Sequence, residues 1–69
     1  MTNTAKLLEK IDSKGLKKQY VAEYIGLKSR NGFMKKVNNE SDFTSTEIKL
    51  LCKLLDITTL SEKEAIFFA

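Results

Sequence analysis

The sequence predicts one all-helical domain over residues 1–69, and three observations carry that prediction. With 42% hydrophobic and 30% charged side chains and no proline, the chain has the balance of a compact helical protein, not of a disordered segment. The stretch Val21-Ala22-Glu23-Tyr24-Ile25-Gly26-Leu27, followed by Phe33 and Val37, reads as the interior of a helix-turn-helix over about residues 17–38. A small Ala beside an apolar residue lets two helices cross closely, and Gly permits the tight turn. Further on, Thr44 and Glu47 have the Thr-x-x-Glu spacing of a capping box, ahead of an apolar stripe.

Five helices are expected. The first covers about residues 5–14: Asn3 and Thr4 can cap it, Leu7, Leu8 and Ile11 share one face, and Gly15 ends it in a left-handed conformation. The second, about residues 18–25, buries Val21, Ala22 and Ile25 between flanking Tyr20 and Tyr24, and Gly26 stops it. A third starts after Ser29, whose hydroxyl can accept an amide proton from the first turn, and runs to about residue 38 with Phe33 and Val37 inward. The fourth begins at Thr44. Phe43 and Ile48 flank that cap with the spacing of a hydrophobic staple, and Ile48, Leu51, Cys52 and Leu55 follow at a period near 3.6 residues. Ser61 and Glu64 repeat the capping spacing, so a short fifth helix is expected from about residue 62, carrying Ala65 and Ile66 and ending in Phe67-Phe68-Ala69. The inward residues of these helices form the expected core.

The net charge of +3 hides a division. Residues 1–13 balance, residues 37–69 carry −3, and residues 14–36 carry seven bases (Lys14, Lys17, Lys18, Lys28, Arg30, Lys35, Lys36) against Glu23 alone. Charge concentrated on the helix-turn-helix favours a polyanion through counterion release. The plainer reading is that these lysines solvate helix faces. There is no histidine, and the single Cys52 falls on an inner stripe. Neither a disulfide framework, a zinc site nor a nucleophile–base pair can be assembled, so no enzymatic activity and no cofactor are expected. The segment Met1-Thr2-Asn3-Thr4 lacks the apolar run of a signal peptide, and no stretch reaches the roughly 20 apolar residues of a membrane span. A cytoplasmic protein is the expectation, with no membrane partner and no small-molecule substrate.

At roughly 100° per residue, Phe33 and Val37 leave one side of the third helix while Asn31, Lys35 and Asn38 form a polar stripe opposite. The second helix of such a pair is the one that enters the DNA major groove. Arg bonds guanine and Asn bonds adenine in bidentate fashion, so Arg30, Asn31 and Lys35 are the candidates for base contact. Phosphate contact falls to Lys17, Lys18, Gln19, Lys28, Ser29, Lys36 and Asn38. Met34 is open to two readings, contact with a thymine methyl or packing on the core. Gly32 is open to two as well: a bare backbone that DNA can approach, or a frayed first turn.

With these residues in view, the chain resembles small phage- and mobile-element-encoded regulators of the lambda-repressor and Cro-like class. The likeness lies in Val21-Ala22-Glu23-Tyr24-Ile25-Gly26, then Ser29-Arg30, Phe33, Lys35-Lys36-Val37-Asn38, Phe43-Thr44, Glu47-Ile48 and terminal Phe67-Phe68, and covers most of the chain from Leu16 on. It implies a five-helix domain that binds a double-stranded operator, commonly as a dimer, and regulates transcription as a repressor does. The chain differs from typical members in a turn one residue longer between Gly26 and Ser29, in Lys17 at the cap of the second helix, and in Asn39 where Gly is common. An alternative of the same fold is an antirepressor-like module whose basic face binds an acidic protein. The tail Ile66, Phe67 and Phe68 has two uses open to it: a homodimer contact, or folding back onto the chain's own core.

Overall fold

Five helices, α1 (Thr4–Ser13), α2 (Lys18–Tyr24), α3 (Arg30–Val37), α4 (Ser45–Leu54) and α5 (Leu60–Phe67), and no strand make up the computed structural model, which describes residues 1–69. Most of the starts follow from side-chain caps. Asn3 Oδ1 accepts the Lys6 amide proton at 3.1 Å, and Ser29 Oγ accepts that of Gly32 at 3.2 Å. At α4 the box is reciprocal: Thr44 Oγ1 accepts from the Glu47 amide and Glu47 Oε1 accepts from the Thr44 amide. Lys17 precedes α2 without any side-chain cap. The fifth helix corrects the sequence reading. Thr59, not Ser61, is its cap, accepting the Glu62 amide proton at 3.2 Å, and the helix starts at Leu60. The Glu62 carboxylate turns to Lys10 on α1 instead of completing a box.

The first four helices end alike. The amides of Leu16, Leu27, Glu40 and Ile57 each return to the carbonyl five residues back, on Ile11, Ala22, Lys35 and Cys52. This closure requires a left-handed residue just before the returning amide. Gly15 (φ +68°) and Gly26 (φ +90°) supply it without strain, while Asn39 (φ +64°) and Asp56 (φ +55°) supply it with side chains that tolerate the region. Three of the returning residues are apolar: Leu16 and Leu27 pack against the core, and Ile57 enters it.

The core holds Leu7 and Ile11 of α1, Val21, Ala22 and Ile25 around α2, Phe33 and Val37 of α3, and Ile48, Leu51 and Leu55 around α4. Leu8, expected inside, is half-buried beside it. Ile57, Ile66 and Phe67 join the core as well. Phe43 is the aromatic link between helices, its ring 6.1 Å from Phe33 and 5.9 Å, edge-on, from Phe67. α2 packs on α3, and α1 on α5.

The tail folds back. Ile66 and Phe67 are each 3% exposed, so of the three residues offered for a homodimer only Phe68, at 58%, still faces outward. Residues 1–4 complete the closure by strapping α3 to α5. The Asn3 amide donates to the Ile66 carbonyl (2.6 Å), the Ala69 amide to the Met1 carbonyl (2.9 Å) and the Thr4 hydroxyl to the Val37 carbonyl (2.6 Å). No helix is long and apolar enough to cross a membrane.

Candidate nucleic-acid interface

Burial of Phe33 and Val37, both without solvent exposure, fixes the rotation of α3. The opposite face follows by geometry: Asn31, Lys35 and Asn38 are exposed, as is Arg30 in the first turn. Met34 is half-buried and packs against the core, which favours its structural reading. The first turn around Gly32 is regular α-helix, with the Phe33 amide bonded to the Ser29 carbonyl at 3.3 Å, so the frayed reading falls away.

The start of α2 lies beside this face. Lys17, Lys18 and Gln19 line an open surface depression together with Leu16 and Arg30, so the first residues of α2 and the first residue of α3 share one surface. Lys17 and Gln19 are exposed and Lys18 is half-buried. Gln19 Nε2 donates to Glu23 Oε2 at 3.1 Å, which holds that side chain along its own helix. Lys28 and Ser29 are exposed in the turn. The Ser29 oxygen is already an acceptor for Gly32, which leaves the hydroxyl proton free to be donated.

Three ion pairs sort the basic block. Lys14 pairs with Asp56 at 2.7 Å and Lys36 with Glu47 at 2.6 Å, while Lys10, outside the block, pairs with Glu62 at 3.2 Å. Lys17, Lys18, Lys28, Arg30 and Lys35 have no carboxylate partner. Lys36 therefore leaves the phosphate set proposed from sequence. Its side chain is only 16% exposed and its ammonium is held by the carboxylate that caps α4. Nothing in the local spacing announces this pair, because eleven residues and a helix boundary separate the partners.

The pairing shows in the acid strengths. Burial by itself would raise the Glu47 carboxyl, but the Lys36 ammonium and the Thr44 amide and hydroxyl outweigh it and hold the group below its ordinary value of 4.5. The hydrogen bond and charge of Lys14 keep Asp56 low in the same way. Burial pushes the Cys52 thiol up, which keeps it protonated and suits a packing residue better than a nucleophile. Comparison with known proteins returns no matching family model, no matching curated protein and no matching solved structure.

Proposed function

We propose that this protein is a sequence-specific, double-stranded DNA-binding regulator of the lambda-repressor and Cro-like class, with residues 17–38 as its helix-turn-helix and α3 lying in the major groove. One observation carries the reading. Three cations without a carboxylate partner, Lys17 and Lys18 at the start of α2 and Arg30 at the start of α3, line one surface depression, and Lys28 and Lys35 stand unpaired in the turn before α3 and on its exposed face. In such a complex Lys17, Lys18, Gln19, Lys28, Ser29 and Asn38 hold phosphates, and Arg30, Asn31 and Lys35 address base edges. The exposed amide of Asn31 suits a duplex better than an acidic protein: it can donate to adenine N7 and accept from adenine N6 together, whereas a carboxylate surface offers acceptors only. In a homodimer held through Phe68, two copies of α3 would enter successive major-groove faces roughly 34 Å apart, as a palindromic operator requires.

A gel-shift assay on the DNA flanking the protein's own gene, beside a scrambled duplex of equal length, tests the proposal. Retardation of the flanking duplex at concentrations that leave the scrambled one free supports it. Equal retardation of both removes the base readout, and retardation of neither removes DNA binding in favour of an acidic protein partner.

A further inference from the structure

The three glycines have different reasons to be there. Gly15 and Gly26 occupy left-handed backbone that most other residues adopt only with strain. Gly32 does not: it has ordinary helical geometry inside α3, and a Cβ placed on it would meet only Ser29 Oγ, at 3.5 Å, an ordinary van der Waals contact. Alanine would fit and would remove the penalty that glycine carries in a helix. No neighbour within the chain needs the missing side chain. On the helix wheel Gly32 stands roughly 60° from Lys35, the centre of the exposed face, on the side away from Asn31. Lys28, exposed and unpaired, and the Ser29 hydroxyl, with its proton free, stand just before it in the chain. Both are donors suited to an anionic oxygen.

We infer that Gly32 is a contact position where a DNA sugar-phosphate strand crosses α3 on bare backbone, flanked by Lys28 and Ser29. The inference rests on the DNA-binding reading and adds a steric requirement to it: the closeness of the strand, not the fold, excludes a side chain at this position.

The test is a size series, Gly32→Ala and Gly32→Leu, titrated by fluorescence anisotropy against the labelled flanking duplex and a labelled random-sequence duplex at low salt, with a thermal melt of each variant. Gly32→Ala should melt at or above the wild-type temperature yet bind both duplexes roughly tenfold more weakly, and Gly32→Leu should lose more. Wild-type affinity in both variants overturns the inference while leaving the DNA-binding reading in place. A loss confined to the flanking duplex overturns the strand assignment, because a base would then occupy the position. A wild type that binds neither duplex overturns the DNA-binding reading, and this inference with it.

Discussion

The Lys36 ammonium lies 2.6 Å from Glu47 Oε1, the same oxygen that accepts the Thr44 amide proton at 2.9 Å. One carboxylate oxygen thus closes the cap of α4 and anchors the flank of α3, joining two helices that carry different parts of the molecule. A cation in the middle of a basic block is spent on structure.

Lys36→Met should therefore destabilise the domain by about 1–3 kcal/mol, because it leaves a largely buried carboxylate without its countercharge. In a domain of this size that lowers the melting temperature by several degrees. The salt dependence of DNA binding should not change, whereas Lys28→Ala should change it. Acid extends the test. A carboxyl whose folded-state value is depressed stabilises the fold above its unfolded value and loses that contribution as pH falls through the folded one. Glu47 lies below 4.5, so wild-type stability should decline as pH drops beneath about that value, and Glu47→Gln should show a smaller decline. Asp56, also held low, contributes to the same acid window, so some decline remains. Denaturant titrations from neutral pH downward measure both.

Asn39 combines two roles that substitution can separate. Its backbone is left-handed (φ +64°), and its side-chain amide grips Thr2, accepting the Thr2 amide proton at 2.8 Å and donating to the Thr2 carbonyl at 2.9 Å. Asn39→Gly keeps the backbone and loses the grip, at a cost of about 1 kcal/mol; Asn39→Ala loses both and should cost about 1–2 kcal/mol more. Melting temperatures should fall in the order wild type, Gly, Ala. A Gly variant as stable as the wild type would show that the grip on the N-terminal strap contributes nothing.

Phe67 and Phe68 should behave as opposites despite being neighbours. Phe67, 3% exposed and edge-on to Phe43, should cost about 3–5 kcal/mol on change to Ser, enough to unfold a small domain. Phe68→Ser should alter the melting temperature little, because the side chain is 58% exposed. If Phe68 holds a dimer, sedimentation of Phe68→Ser at high concentration gives a monomer where the wild type gives a dimer. A wild type that remains monomeric contradicts the dimer contact alone.

What the sequence discloses here is what is written locally. The caps at Ser29 and Thr44 are short-range patterns, and the rotation of α3 follows from Phe33 and Val37 alone, so the exposure of Asn31, Lys35 and Asn38 was legible. The fifth helix starts earlier than the Ser61–Glu64 spacing predicts because two Ser/Thr-x-x-Glu registers overlap, Thr59 with Glu62 and Ser61 with Glu64. The register adopted is the earlier one, which also gives Glu62 a partner in Lys10 across the groove to α1. Ile57 escaped because it lies where the chain reverses, and the tail Ile66 and Phe67 stayed open between a dimer contact and the core because too few residues remain there for a periodic pattern to define a face. The spending of Lys36 on Glu47 is a tertiary contact, as is the grip of Asn39 on Thr2; neither has a signature within its own helix.

DNA binding by the unpaired cations is read most directly from the slope of log affinity against log salt for the flanking duplex. Each neutralised phosphate contributes a slope near −0.9, so a protomer using between three and all five of the unpaired cations of its basic block gives roughly −3 to −4.5. A slope in that range is expected, reduced by about one unit in Lys17→Ala and in Lys28→Ala and unchanged in Lys14→Ala and Lys36→Met. A slope near zero, or one that responds to Lys36→Met as strongly as to Lys28→Ala, would contradict DNA binding by the unpaired cations.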